Sequence, residues 1–108
     1  MTDHPAVTPV NALAAELLTE ARDHHSRRAG RTLVTGTSQR ATLIARAEIA
    51  THDAPTAATL YVIIGQVRLY TNDDDCVLDV GHLAAIPPQR HGLTALTDAV
   101  VLLTVALR

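Results

Sequence analysis

The residues of this sequence best suited to chemistry are histidines in two segments, residues 52–65 and 81–91. The first segment begins at His52 and the second ends at His91, and each combines histidine with proline and glycine beside a predicted strand. An imidazole titrates near neutral pH and is a frequent ligand of divalent transition metals. Two imidazoles in one pocket could therefore share a metal ion, exchange protons with a substrate, or bind an anion.

The other residues with potential chemistry fit a site less well. His24 and His25 are neighbours on a predicted helix, where successive side chains point about 100° apart, so they cannot chelate one ion from the same face. The acidic run at residues 73–75 lacks the glycine and the further oxygen ligands of a calcium loop, and it predicts a hairpin turn. Cys76 is the only cysteine in the sequence, which excludes an internal disulfide and a cysteine-based zinc site. We expect it to be a small buried apolar residue.

A single amphipathic helix is predicted over residues 8–30, after a flexible tail at residues 1–7. Thr8 is expected to cap this helix, Pro9 to occupy its first position and Gly30 to end it. The apolar residues that recur at helical spacing are Val10, Leu13, Ala14, Leu17, Leu18 and Ala21. A stripe of this kind must be covered, either by the protein's own sheet or by a docking partner.

Residues 31–108 are predicted to form an all-β barrel, because short β-branched runs alternate with turn residues. Alternating side chains predict one strand from Arg40 to Ile49. The strongly apolar run from Ala58 to Ile64 predicts a strand that is buried on both faces.

Four polar residues near the two segments are candidates for lining a pocket. Thr59 and Tyr61 share one face of a predicted strand, and Gln89 and Arg90 immediately precede His91. If the Thr59 face points into the barrel, it gives the pocket a polar side. If it points outward, Tyr61 is a surface ring or part of a dimer contact.

Residues 52–65 and 81–91 resemble the two motifs of the cupin family. The second segment carries the more specific match, through Gly81, Ile86, Pro87, Pro88 and His91. The chain looks most similar to short single-domain cupins of the actinobacterial type. The resemblance implies a double-stranded β-helix, or jelly-roll, barrel behind the N-terminal helix.

In metal-bearing cupins both motifs supply ligands, and the resemblance places two of them in this chain. His52 falls on the first histidine position and His91 on the histidine of the second motif. Ala54 and Ala58 fall on the positions of the second histidine and the glutamate, and neither can bind a metal. Zinc and non-haem iron sites use at least three protein ligands. A bound Fe, Mn, Ni, Zn or Cu ion would therefore need a ligand outside the motifs, such as Tyr61.

Composition argues against several kinds of partner. The chain has 108 residues, enough for one domain, with a net charge of −2 and nine basic residues that are all arginine. Nucleic-acid binding is disfavoured because acids outnumber bases and only 2% of residues are aromatic. The N-terminus has no signal-peptide pattern, and no apolar run is long enough to span a bilayer. We therefore expect a cytoplasmic protein that has no membrane partner.

Two functions are compatible with these features, one without strong catalysis and one enzymatic. The first is a homodimeric protein that binds a small molecule in a reduced two-histidine pocket. The alternative is a metal-dependent enzyme, such as a dioxygenase or an isomerase, that uses His52, His91 and a non-motif ligand. A third hypothesis makes the N-terminal helix a docking element for another protein.

Overall fold

Two antiparallel β-sheets lie face to face in the computed structural model of this chain. The structure describes residues 6–23, 28–46, 48–52, 57–86 and 89–107, with residues 48–52 described by their main chain alone. The elements are α1 (Val10–Asp23), β1 (Ala29–Thr35), β2 (Gln39–Ala45), β3 (Glu48–His52), β4 (Ala57–Ile64), β5 (Val67–Thr71), β6 (Asp75–Leu78), β7 (Leu83–Ala85), β8 (His91–Ala95) and β9 (Val100–Ala106).

Sheet A has the strand order β1-β2-β9-β4-β7, and sheet B has the order β3-β8-β5-β6. Helix α1 packs against sheet A. This architecture confirms the predicted all-β jelly roll with one leading helix. In the part of the chain that the structure describes, no helix is long and apolar enough to cross a membrane.

The main core lies between the inner faces of the two sheets. Because every second residue of a strand points to the same face, Leu60 and Val62 of β4 and Val101 of β9 meet Val67 and Leu93 of sheet B. All five side chains are buried. Full burial of such a side chain contributes about 1.5–3 kcal/mol. This core is therefore the main force that holds the two sheets together.

Helix α1 covers part of the outer face of sheet A and forms a second core with it. Leu17 and Ala21 of the helix pack with Leu43 of β2 and Val100 of β9, and none of the four is more than 1% exposed. The predicted apolar stripe is confirmed. The protein's own sheet covers it, so the hypothesis that the stripe docks onto a partner is wrong.

The carboxyl end of the helix differs from the prediction. Helix α1 ends at Asp23, and residues 24–27 lie outside the described part of the chain. Gly30 lies within β1, opposite Ile44 of β2, and does not end the helix. The reason is that the β1–β2 ladder, rather than a helix end, takes up the main-chain hydrogen bonds there.

The amino end of the helix is shifted by one residue from the prediction. The Leu13 amide donates to the Pro9 carbonyl at 3.0 Å, so Pro9 takes the cap position predicted for Thr8. Of the predicted tail at residues 1–7, residues 1–5 lie outside the described part of the chain.

The strand predicted from Arg40 to Ile49 is divided between the two sheets. The break follows Ala45, at Arg46, whose φ of 53° is left-handed and takes the chain out of sheet A. The Arg46 amide donates to the Ala99 carbonyl at 2.6 Å, which fixes this corner against the segment that leads into β9. Side-chain alternation does not reveal such a corner, because both strands keep the same period.

A carboxylate ties this corner to the helix. Asp98 accepts from Arg46 at 2.7 Å through Oδ1 and from Arg22, in the last turn of α1, at 2.8 Å through Oδ2. The Arg46 side chain is 26% exposed and that of Arg22 51% exposed, so water screens the Arg46 pair less than the Arg22 pair. The two ion pairs join α1, the β2–β3 corner and the β8–β9 turn.

Gly65 closes the same end of the sandwich by letting two turns touch. It follows β4 with a φ of 77°, and a Cβ built there would overlap the Asp98 carbonyl oxygen and come within 2.9 Å of the Ala99 Cα. Gly81 has a similar φ of 87°, but a Cβ there would meet nothing within 4 Å. Both glycines therefore allow a left-handed backbone, but only Gly65 also allows a close contact with a neighbouring turn.

We predict that Gly65→Ala destabilises the fold more than Gly81→Ala. Both substitutions put a Cβ on a left-handed residue, at a cost of about 1–2 kcal/mol. Gly65→Ala adds a steric overlap with main-chain atoms, worth about 1–3 kcal/mol more. Urea unfolding followed by circular dichroism measures both free energies of unfolding. Equal losses for the two variants would contradict the close contact between the turns.

Candidate functional site

The ends of several strands meet at one end of the sandwich, which we call the mouth. Strands β3, β5 and β7 finish there, and β4, β6 and β8 begin there, as the antiparallel pairings require. The strand residues of sheet B at the mouth are His52, Thr71, Asp75 and His91. The corner at Arg46 and the turn at Gly65 lie at the opposite end.

His91 is the first residue of β8 and is buried, with 5% of its surface exposed. Its Nδ1 lies 2.9 Å from the Gln89 carbonyl oxygen. Because a carbonyl can only accept, Nδ1 carries the proton and donates it. A neutral His91 then has its lone pair on Nε2, the atom that could accept a proton or bind a metal.

The sheet register places His52 directly opposite His91. The Cα atoms of the two residues are partners in the β3–β8 ladder, and a register shift lies between Ile49 and His52. Thr71 of β5 is the partner of His91 on the other side. The sheet therefore brings together the two histidines that the sequence singled out, at the level of the main chain.

A cavity of about 240 Å³ lies beside this group at the mouth. Two of the residues that line it are partners of His91. Thr71 lies opposite His91 in the β5–β8 ladder, and the Gln89 carbonyl accepts the hydrogen bond from the His91 ring. Among the four predicted pocket residues, Gln89 is the one that lines this cavity. The lining residues are Leu69, Thr71, Asp73, Asp74, Asp75, Cys76 and Gln89.

Cys76 is exposed at this cavity, so the prediction that it is a buried apolar residue is wrong. It lies opposite Leu69 on β6, which is the edge strand of sheet B and has its first three residues exposed. Sequence reasoning also missed Thr71. The alternation of Val67 and Leu69 could have placed Thr71 on the inner face, because it continues the same period.

Thr71 organises the acidic turn that borders the cavity. Its hydroxyl oxygen accepts from the Asp73 amide at 3.3 Å and from the Asp74 amide at 3.2 Å. Its own amide donates to the Asp74 carbonyl at 2.7 Å. A single side chain therefore fixes the main chain of this turn next to His91.

The strand that carries His91 is held by close packing on its outer face. Gly92 follows His91 and is the ladder partner of Tyr70. A Cβ at residue 92 would overlap the hydroxyl end of the Tyr70 ring, so a larger residue there would require the ring to move. The Arg68 guanidinium stacks 4.6 Å from the centre of the same ring.

Thr59 and Tyr61 do not line the interior. Leu60 and Val62 of the same strand are buried in the inner core, so alternation puts Thr59 and Tyr61 on the outer face of sheet A. Both are exposed, Tyr61 by 40%. The prediction that β4 is buried on both faces is wrong for its first half, and the surface interpretation of Tyr61 is the one that fits. Tyr61 cannot be the third ligand of an ion held by His91, since the sheet lies between them.

Arg90 is exposed and lies between Gln89 and His91 at the mouth. Of the predicted pocket residues, Gln89 and Arg90 therefore accompany His91, while Thr59 and Tyr61 belong to the other side of sheet A.

No family profile and no curated protein matches the chain, whereas solved structures do. An RmlC-like cupin from Shewanella frigidimarina superposes with a TM-score of 0.67 at 21% identity, covering 75% of this chain and 77% of that one. A cupin-2 domain containing protein from the same organism gives 0.73 at 17% identity, covering 94% and 95%. A cupin superfamily protein from Desulfitobacterium hafniense gives 0.78 at 10% identity, covering 100% and 94%. The chain has the cupin fold.

On this cupin fold the two motif-like segments meet at the mouth. The first runs from the last residue of β3 into β4, and the second ends on the first residue of β8. Ala58 lies on the inner side of β4, in phase with Leu60, and its methyl group offers no ligand atom. Among the described residues no three His, Cys, Asp or Glu side chains are grouped to hold a metal. The closer similarity to actinobacterial-type cupins stays a prediction.

We predict that Thr71→Val loosens the turn beside the cavity, whereas Thr71→Ser leaves it intact. Valine keeps the shape but removes the oxygen that accepts from Asp73 and Asp74, and serine retains that oxygen. Each of the two hydrogen bonds lost, at about 1 kcal/mol, corresponds to roughly fivefold faster local opening at its amide. Amide hydrogen exchange at Asp73 and Asp74 measures this. Equal protection in the valine variant would contradict the role of the hydroxyl.

Proposed function

We propose that the barrel binds a small molecule at its mouth, beside His91, without strong catalysis. The observation that carries this proposal is a buried imidazole, oriented by the Gln89 carbonyl, next to a cavity of about 240 Å³. Burial of a polar ring is unfavourable unless its hydrogen bonds are satisfied, and here one nitrogen is fixed by the main chain. The ligand would then bind beside this ring, against its neighbours Thr71 and Gln89.

The chemistry of the cavity limits the class of ligand. Asp73, Asp74 and Asp75 are among the residues that line it, and Arg68 forms an ion pair with Asp75 at 2.9 Å. Two further negative charges oppose an anionic ligand and favour a neutral or cationic one. The surface of the cavity is largely apolar, and Thr71 and Gln89 add hydrogen-bonding groups, so a small neutral polyol or amine that also carries apolar carbon suits it.

The absence of strong catalysis is proposed from the residues at the ligand positions of the resemblance. Ala58 carries no donor, and neither does Ala54 by its identity. The two motif-like segments therefore supply two candidate ligands, His52 and His91. A three-ligand site needs one more. No step through a metal is derived.

The alternative, a metal-dependent enzyme, is favoured by one observation, the pairing of His52 with His91. The two residues are directly opposite each other in the main-chain ladder. A residue outside the motifs would have to complete the site. Location in the cytoplasm and the lack of a nucleic-acid partner are proposed from composition alone.

We predict that protein purified without a histidine tag carries substoichiometric Fe, Mn, Ni, Zn and Cu, and that His91→Ala leaves these contents unchanged. Mass spectrometry of the metals measures this, with His82→Ala as the control because His82 is exposed and lies far from the mouth. One equivalent of metal in wild type and the control, lost in His91→Ala, would contradict the first function and support the metal-dependent enzyme.

We also predict that ligand binding is confined to the mouth. Mixtures of neutral polyols and small primary amines are added to 15N-labelled protein, and amide shifts are followed by NMR. The expected shifts cluster at Thr71, Cys76, Gln89 and His91, and they disappear in His91→Ala but persist in His82→Ala. Shifts centred on another surface, or shifts that are unchanged by His91→Ala, would contradict the proposed site.

A further inference from the structure

His82 lies in the turn that joins β6 to β7, at the end of the sandwich away from the mouth. The turn consists of Asp79, Val80, Gly81 and His82, and the His82 amide donates to the Asp79 carbonyl at 2.9 Å. Gly81 has a φ of 87°, the positive value that a type II turn requires at its third residue. The local sequence therefore favours this main-chain conformation.

The His82 ring closes the same turn a second time. The Asp79 amide donates to Nδ1 of His82 at 2.9 Å. Because an amide N–H can only donate, Nδ1 carries no proton, and the neutral ring has its proton on Nε2. The arrangement is the reverse of that at His91, where Nδ1 donates to a carbonyl. The hydrogen bond of His82 therefore exists only while its ring is neutral.

The β6–β7 turn attaches an edge strand of sheet A to its neighbour. Val62 of β4 donates its amide to the His82 carbonyl at 3.0 Å and accepts from the Gly81 amide at 2.9 Å. The ladder continues with Tyr61 opposite Leu83 and ends two residues later. Strand β7 has only three residues and lies at the edge of the sheet. Its attachment at this end therefore depends on the turn.

We propose that His82 makes the β6–β7 turn sensitive to pH. An imidazole gains a proton near neutral pH, and the proton goes to the ring nitrogen that lacks one. In His82 this nitrogen accepts from the Asp79 amide, so protonation sets two donors against each other and breaks the hydrogen bond. The bond is present at higher pH and is lost as the pH falls. Because short edge segments open most easily, β7 is then held less firmly.

The groups around the turn favour this response. The His82 side chain is exposed, so the ring can turn towards water. On the same turn, the Asp79 carboxylate accepts from Gln66 Nε2 at 2.8 Å and attracts a protonated ring away from the amide. Val62 and Gln66, from the elements packed against the turn, carry no charge. Asp98, at the same end of the sandwich, is already held in two ion pairs.

This device is separate from the proposed ligand site. The turn lies at one end of the sandwich, and the cavity beside His91 lies at the other. Loss of the His82 hydrogen bond is therefore expected to loosen the turn and the start of β7 while the mouth stays unchanged.

The test is amide hydrogen exchange followed by NMR at about pH 5 and about pH 8, on either side of the imidazole titration. Protection factors are compared, so that the intrinsic pH dependence of exchange is removed. We expect the Asp79 amide of wild type to be roughly fivefold less protected at the lower pH, the effect of one hydrogen bond. The Gly36 amide, which donates to the Gln39 carbonyl, is the internal control and is expected to stay unchanged. Equal protection of Asp79 at both pH values overturns the proposal.

Two variants distinguish the His82 ring from other titrating groups. In His82→Asn the side-chain oxygen takes the position of Nδ1 and accepts at every pH, so the protection of Asp79 is expected to stay high. In His82→Ala the acceptor is absent at every pH, so the protection is expected to stay low. Circular dichroism confirms that both variants are folded. An asparagine variant that loses protection in acid as wild type does assigns the response to another group and overturns the proposal.

A direct observation of the hydrogen bond needs no substitution. In 15N-labelled wild type, a scalar coupling between the Asp79 amide nitrogen and Nδ1 of His82 reports the bond itself. We expect this coupling at the higher pH and its loss at the lower pH. A neutral His82 ring with its proton on Nδ1 at the higher pH overturns the proposal.

Discussion

One sheet in this protein must satisfy two hydrophobic cores at once, and the other features of the structure depend on that constraint. In β9 the neighbours Val100 and Val101 are both fully buried, one beneath the helix and the other between the sheets. Strand alternation sends them to opposite sides. The helix is therefore part of the domain's own core, and the chain cannot lose it without exposing the outer face of sheet A to water.

The same constraint explains why the polar and reactive groups collect at the mouth. The end with Gly65 is closed by close contact between turns and by the Asp98 ion pairs. Both faces of β9, the central strand of sheet A, are apolar for most of their length. At the mouth the core ends with Leu69 and Leu93, and the next residues along these strands in the same phase are Thr71 and His91. The cavity contains hydrogen-bonding groups because it lies just beyond the last apolar side chains of these strands.

The sequence predicts the parts of this arrangement that have a clear period. The apolar stripe of α1 and the short alternating strands are visible because helix and strand repeat differently. The corner at Arg46 is not visible, since a left-handed residue other than glycine leaves no mark on the alternation. Glycine is common just after helices, so the sequence predicts a helix end at Gly30. This preference does not reveal the pairing of β1 with β2. The exposure of Cys76 depends on the position of β6 at the edge of sheet B, which is a property of the whole sandwich.

The candidate site was predictable in composition but not in geometry. The resemblance selected His52 and His91, and the ladder register places them opposite each other. The resemblance does not determine which face of sheet A carries Thr59 and Tyr61, because a shift of one residue moves every side chain of a strand to the other face.

The most direct test of the ligand site is a high-resolution crystal structure of the untagged protein soaked with a small primary amine. We predict that Nδ1 of His91 donates to the Gln89 carbonyl and that the amine lies in the cavity beside Thr71 and Gln89. A His91 ring turned away from the cavity, or a stoichiometric three-ligand metal between His52 and His91, would contradict the account.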